Sequence, residues 1–205
     1  MIAIVDYGMG NPGSIQNMLL RLGEQSVITR NHDEIRAAEK LILPGVGAFH
    51  LAMQNLDELG LRKVLNEQVL TRNIPILGIC LGMQLFGKGS EEGLPAEGLG
   101  WFDAYTRRFS FDGVGKPLRL PHMGWNTLQA EFPHPVVANL PEGSRFYFVH
   151  TFHVVCEQPQ DVLATARYGI PFTAMIAKGN IIGAQFHPEK SHRFGMALMR
   201  NFVSL

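Results

Sequence analysis

The sequence predicts an α/β fold: an open, mainly parallel but mixed sheet with helices on both faces, and antiparallel strands added in the second half. Two observations carry this. Up to residue 86, short runs of branched apolar residues alternate with stretches whose apolar residues recur every three or four positions, the strand-helix alternation of a parallel sheet. From Trp101 onward that spacing gives way to short strand-like runs, most of them separated by glycine, proline or asparagine. In an open sheet of this kind functional groups gather at the carboxyl ends of the strands.

Ile2 to Val5 reads as a buried strand, followed by the polar, glycine-rich loop Asp6 to Gly13. A helix is expected from about Ser14, with Ile15, Met18, Leu19 and Leu22 on one face and Gly23 as its stop signal. Ser26 to Thr29 is a short strand, Asp33 to Ala38 a short helix, and Lys40 to Leu43 a third strand running into Pro44-Gly45-Val46-Gly47. Helical spacing returns with Phe49, Met53 and Leu56, and again with Leu61, Val64, Leu65, Gln68 and Val69. Pro75 to Ile79 is a strand buried on both faces, and Leu81 to Phe86 starts a helix. Gly87 to Gly100 reads as a loop. Strands are then expected at Tyr105 to Phe109, Pro117 to Leu120, Arg145 to Val155, Val162 to Tyr168, Phe172 to Ala177 and Ile181 to Phe186, with Lys178-Gly179-Asn180 as a hairpin turn. A last helix starts near Ser191, whose hydroxyl is placed to cap it, with Phe194, Leu198 and Phe202 on one face.

The length, 205 residues, suits one domain with a full core. With 18 basic and 18 acidic side chains there is no bulk charge to attract nucleic acid or an anionic membrane, and neither partner is expected. The first residues reach Asp6 too soon for a signal peptide, and no apolar run approaches the roughly 20 residues that span a bilayer. A cytoplasmic protein is therefore expected. Two cysteines cannot make a disulfide framework, and Cys156, without glycine neighbours, reads as core or surface filler.

Cys80 stands between Gly78 and Gly82 at the predicted strand-to-helix turn. A nucleophile on so tight a turn needs small neighbours two residues either side, because a Cβ there collides with the folded-back backbone; G-x-C-x-G is the thiol version of the nucleophile elbow. The turn also puts Cys80 at a helix N-terminus, where free N–H groups favour a thiolate. A cysteine nucleophile works best beside a base, most often histidine. Of the eight histidines, His187 ends an apolar run and is followed by Pro188-Glu189. In an extended segment residues i and i+2 share a side, so Glu189 is placed to accept from one imidazole nitrogen and leave the other for Cys80. Attack on a carbonyl makes an oxyanion, for which the amide of Leu81 and one in the Gly45 to Gly47 loop are candidate donors, each typically worth about 3 kcal/mol.

Two other motifs compete. Gly8-Met9-Gly10-Asn11-Pro12-Gly13 matches the dinucleotide-binding G-x-G-x-x-G, with Arg30 and Asp33 near where a ribose-reading residue stands, although Asp6 and Tyr7 intervene where a tight turn is needed. His187, Glu189 and His192 resemble part of a metal or deaminase signature but lack its P-C-x-x-C partner, and no metal is expected.

Together, Pro44-Gly45-Val46-Gly47, Gly78-Ile79-Cys80-Leu81-Gly82-Met83-Gln84 and His187-Pro188-Glu189 resemble the class I (triad) glutamine amidotransferases, in that order and over essentially the whole chain. Asp6-Tyr7-Gly8-Met9-Gly10-Asn11, Pro121-His122-Met123-Gly124-Trp125-Asn126, Tyr147-Phe148-Val149-His150 and Pro188-Glu189-Lys190-Ser191 resemble, within that class, the glutaminase subunits of imidazole glycerol phosphate synthases. The resemblance implies a single flavodoxin-like amidotransferase domain over residues 1–205. It implies a glutaminase without cofactor that splits L-glutamine through a Cys80 γ-glutamyl thioester. The ammonia would pass to a β/α-barrel cyclase subunit, its partner in a heterodimer, which makes imidazole glycerol phosphate and AICAR in histidine biosynthesis. By the same resemblance Cys80 is the nucleophile, His187 the base and later acid, and Glu189 its anchor. Gln84 and Glu92 hold glutamine, Glu92 through the α-amino group; Gly45, Val46 and Leu81 form the oxyanion hole; Asn11, Trp125 and Lys190 face the partner. The chain departs from the pattern at Pro12, where an aliphatic residue is commoner, and at Thr151-Phe152-His153, which replaces a serine and tyrosine pair. A glutaminase of another ammonia-dependent synthase, or another cysteine hydrolase with the same elbow, is the alternative. A non-catalytic binding module with a structural Cys80 is a third reading.

Overall fold

In the computed structural model of the protein, residues 1–113 and 118–205 are described. The chain runs β1 (Ile2–Val5), α1 (Pro12–Arg21), β2 (Ser26–Thr29), α2 (His32–Ala37), β3 (Lys40–Gly45), α3 (Phe49–Glu58), α4 (Leu61–Asn66), β4 (Ile76–Cys80) and α5 (Leu81–Gln84). It continues through β5 (Gly89–Ser90), β6 (Ala104–Arg108), β7 (His122–Thr127), β8 (Gln129–Ala130), β9 (Arg145–His150), β10 (Phe152–Cys156), β11 (Val162–Tyr168), β12 (Ile170–Lys178), β13 (Ile181–Ala184) and α6 (His192–Val203). The main sheet has the order β2-β1-β3-β4-β13-β12-β11-β8. Its first five strands are parallel and the last three antiparallel, a mixed sheet as the sequence predicts.

The continuous apolar runs are explained by burial of both faces. In β1, Ile2 and Ile4 join one core with Ile15 and Leu19 of α1 and Leu198 and Phe202 of α6, while Ala3 and Val5 join a second with α2, α3 and α4. This is the period-2 division of a strand sandwiched between helix layers. The register Leu43↔Gly78, Gly45↔Cys80 and Ala184↔Ile79 brings the carboxyl ends of β3, β4 and β13 to one edge of the sheet.

Several boundaries differ from expectation. Helix α1 starts two residues early, because Pro12 is preset for the first turn and Asn11 Oδ1 accepts from Ser14 N. The helix after Cys80 is one turn long: Phe86 N and Gly87 N bond three residues back, to Met83 O and Gln84 O, and the helical ladder ends. The run from Arg145 to Val155 is two strands, not one, since the chain changes sheets at Thr151: β9 pairs with β7 and β10 with β6. Residues Gly87 to Gly100 contain the short β5, and β7 and β8 have no counterpart in the sequence reading. Of the strand expected at 117–120, residue 117 lies outside the described residues and 118–120 are not strand. Ser191 does not cap α6; its hydroxyl donates to His187 O at 2.6 Å and accepts from Tyr147 N at 3.0 Å.

Candidate active site

Cys80 ends β4 with φ 54° and ψ −109°, a conformation that a non-glycine residue rarely adopts and that the surrounding packing has to hold. Both flanking glycines are obligatory on steric grounds. A Cβ on Gly78 would lie 2.6 Å from the Phe86 ring and 2.8 Å from Gly82 C, the folded-back collision expected of an elbow. A Cβ on Gly82 would lie 1.9 Å from Leu43 O, so there the obstacle is the neighbouring strand. Because α5 is a single turn, its dipole contributes little at Cys80.

His187 leaves β13 one strand away and is buried. Its backbone N–H donates to Tyr147 O at 2.9 Å, and Ser191 holds its carbonyl. Nδ1 lies 2.7 Å from Glu189 Oε1, and since a carboxylate only accepts, Nδ1 carries the proton. The two residues meet on a 3₁₀ turn, Pro188–Lys190, and not on the extended segment expected. Among the described residues Nε2 has no partner within hydrogen-bond geometry, and it is the ring nitrogen on the side of the Cys80 sulfur. Burial disfavours the imidazolium, but the Cys80 sulfur and the Glu189 carboxylate outweigh it and raise the His187 pKa to about 9.

Cys80 and His187 line a cavity of about 250 Å³ together with Val46, Gln84, Glu92 and Lys190. Gly45 lies opposite Cys80 in register, where a Cβ would meet Leu81 Cβ at 2.8 Å, so only glycine lets β3 approach the elbow. Glu92 Oε2 accepts from Phe49 N at 3.0 Å, and Gln84 Nε2 donates to Phe152 O at 3.2 Å. Asn11 and Trp125 do not line the cavity. Asn11 caps α1, and Trp125 stands on β7 with 43% of its surface exposed, stacked on His192 with ring centroids 5.5 Å apart. Lys190 joins the two regions: it lines the cavity, reaches within 5.8 Å of the Tyr147 ring, and borders a groove beside Ser14 and Asn17 of α1. Tyr147 in turn touches Trp125 edge-on.

The glycine loop that mimics a dinucleotide fingerprint serves this site. A Cβ on Gly10 would lie 3.1 Å from Gly45 N, Pro12 removes an N–H at the start of α1, and Arg30 is paired with Asp6 at 2.5 Å. Cys156 lies half-buried elsewhere, its thiol pushed up to about 12 by burial and then by Asp161, and is inert at neutral pH.

A family model for class-I glutamine amidotransferases matches residues 3–205. The chain belongs to that family. Among curated relatives, one from Methanococcus maripaludis, described as imidazole glycerol phosphate synthase subunit HisH 2, is 50% identical over 99% of this chain and 98% of its own. One of the same description from Pseudomonas aeruginosa is 48% identical, and a subunit HisH from Leptospira interrogans 43%, each over 100% of both chains. Two solved structures share the fold. One described as a glutamine amidotransferase has TM-score 0.71 at 22% identity, covering 100% of this chain and 98% of its own. Another glutamine amidotransferase, from Thermotoga maritima, has TM-score 0.64 at 14% identity, covering 99% of this chain and 96% of its own.

Three residues of this candidate site were given no role in the sequence reading, although Tyr7 and His150 stand in motifs it quoted. The Tyr7 hydroxyl donates to Pro44 O at 2.6 Å and braces β3 at the elbow; burial, then the nearby Cys80, push its pKa up and keep it a donor. Its signals were its place in the motif Asp6-Tyr7-Gly8-Met9-Gly10-Asn11 and a large aromatic side chain inside a polar glycine loop. Gln185 stands buried within the apolar run before His187, with Nε2 3.7 Å from Cys80 Sγ. His150 Nδ1 lies 2.8 Å from Phe152 O and therefore donates, which leaves Nε2 to accept from His122 Nδ1 at 3.1 Å. Burial holds both rings neutral, with pKa values of about 3 for His150 and 4 for His122.

Proposed function

We propose that this amidotransferase is the glutaminase subunit of an imidazole glycerol phosphate synthase, acting as one domain in the cytoplasm and partnered by a cyclase. The observation that carries the chemistry is the Cys80–His187–Glu189 line at one cavity, with Nδ1 of His187 pinned at 2.7 Å to the carboxylate and Nε2, on the other side, without a partner among the described residues. The relatives named HisH, at 43–50% identity over the full chain, support the assignment of the complex.

In this reading Cys80 Sγ attacks the carboxamide carbon of glutamine, and the π electrons of the carbonyl move onto oxygen. The amides of Leu81 and of the Gly45–Val46 segment receive that oxyanion. His187, as imidazolium, protonates the departing nitrogen, so ammonia leaves and the γ-glutamyl thioester remains. Water, deprotonated by the now neutral His187, attacks the thioester; glutamate is released and the thiolate returns. Gln84 and Glu92 hold the substrate, Glu92 against the α-ammonium. Asn11, Trp125 and Lys190 lie on the face offered to the cyclase.

Cys80→Ala tests this. In the complex it is expected to lower glutamine-dependent synthesis by about a thousandfold or more while synthesis from added ammonia is retained. Glutamine turnover that survives the substitution would remove Cys80 from the mechanism.

A further inference from the structure

From the cavity wall at Gln84 a chain of buried carboxamides runs back to Gln185, a residue that the mechanism above does not use. Gln84 Nε2 donates to Phe152 O at 3.2 Å and to Gln185 Oε1 at 3.1 Å, and Gln185 Nε2 faces Cys80 Sγ at 3.7 Å. The direction of the chain is set by chemistry. A backbone carbonyl only accepts, so the NH₂ of Gln84 has to point at Phe152 O. Its second hydrogen then falls to Gln185, which must present Oε1. With Oε1 so used, the NH₂ of Gln185 has the Cys80 sulfur in front of it. Gln185 is fully buried, and its own N–H is tied to Ala174 O at 2.9 Å, so its side chain starts from a fixed point.

We propose that Gln185 is a positioning residue for Cys80: its carboxamide donates to the sulfur, favours the thiolate and aims it into the cavity, with the direction of the donor set by Phe152 O through Gln84. Sulfur is a weak acceptor as a thiol and a strong one as a thiolate, so the contact strengthens with charge on the nucleophile. The same chain leaves Gln84 Oε1 as the acceptor of the pair. The proposal rests on Cys80 being the nucleophile.

The test uses Gln185→Glu and Gln185→Met in the complex, in a Cys156→Ser background so that Cys80 is the sole thiol. The glutamate keeps the shape and still accepts from Gln84, but protonated it donates O–H to sulfur and ionised its charge alone opposes the thiolate; the methionine carries no charge and neither donates nor accepts through oxygen. The readouts are the pH dependence of Cys80 alkylation by iodoacetamide and the kcat and KM of glutamine hydrolysis, with thermal melting to select folded variants. In the methionine variant the pH of half-maximal alkylation is expected to rise by about one to two units, the equivalent of one hydrogen bond to a charged atom. For kcat a fall of about tenfold or more is expected. KM should rise more in the methionine variant, where Gln84 keeps Phe152 O but loses its second partner. The methionine variant decides, with Gln185→Leu in its place if it does not fold: an alkylation profile superimposed on that of the wild type overturns the proposal. If the profile moves as expected but the unsubstituted complex turns over no glutamine, Gln185 keeps its role and the glutaminase reading fails instead.

Discussion

A methyl group on Gly82 would sit 1.9 Å from Leu43 O, and backbone on both sides leaves nothing flexible to yield. Gly82→Ala is expected to cost about 3 kcal/mol, the upper end for overpacking by one carbon, and to lower the melting temperature by roughly 6–12 °C. It should also push the elbow away from β3 and remove glutaminase activity. A variant that melts with the wild type would show that the elbow has more room than the geometry allows. Gly78 was legible in the sequence because its need is local to the turn; Gly82 was singled out for the same local reason, although its obstacle is Leu43 on the neighbouring strand. Glu189 was legible too, though on a mistaken backbone: proline locks it beside His187 through a 3₁₀ turn, not an extended segment. Tyr7, Gln185 and Ser191 were not. Each acts on a residue that the fold alone brings near, Tyr7 on Pro44, Gln185 on Cys80, and Ser191 on Tyr147, and no spacing within one sequence encodes such a meeting.

At the scale of the element, the N-terminus of α3 depends on a residue far along the chain. Ala48, at its N-cap position, has no side chain to accept from the first turn, and Glu92 Oε2 takes the Phe49 N–H instead. Glu92 thus has a capping role beside its proposed hold on the substrate ammonium, and two substitutions separate them. Glu92→Gln keeps an oxygen acceptor, so melting should stay near that of the wild type while KM for glutamine rises about tenfold with the lost charge. Glu92→Ala should show the same KM effect and lose a further ~1 kcal/mol of stability, a fall of roughly 2–4 °C. A wild-type KM in the glutamine variant would leave Glu92 with the cap alone. In the parallel half β1, β3, β4 and β13 were legible because they are buried on both faces and read as apolar runs, while the edge strand β2 is only half-buried. In β7, by contrast, exposed Met123 and Trp125 alternate with less exposed Gly124 and Asn126, which hid it; β9 and β10 merged because the break at Thr151 carries no glycine or proline.

For the whole molecule, buried histidines of opposite preference shape the response to pH. His122 and His150 are held neutral by burial, with folded pKa values of about 4 and 3 against an ordinary 6.5, and burial lowers His153 as well. Below about 6.5 the unfolded chain takes up protons that these folded rings refuse, so stability falls as the pH drops from 6.5 towards 4. His187 has the opposite sign. Its folded pKa of about 9 means that the native state keeps a proton the unfolded chain gives up above 6.5. Its contribution is full below 6.5 and is lost as the pH rises through 9. The melting temperature is therefore expected to peak near neutrality and to decline on both sides, with a separate cause for each limb. Melting curves between pH 4 and 10 for three proteins check this. His187→Asn should flatten the alkaline limb and leave the acid limb intact. His122→Phe keeps a ring against Phe148 and Tyr168, on which His122 stacks at 5.2 and 4.2 Å, and should make the acid limb shallower while the alkaline limb stays. An alkaline decline that persists unchanged in His187→Asn would place its source outside the Cys80–His187–Glu189 line. On the proposed mechanism the same limb should appear in kcat as well as in stability, because the proton lost from His187 on the alkaline side is the one assigned to the departing ammonia.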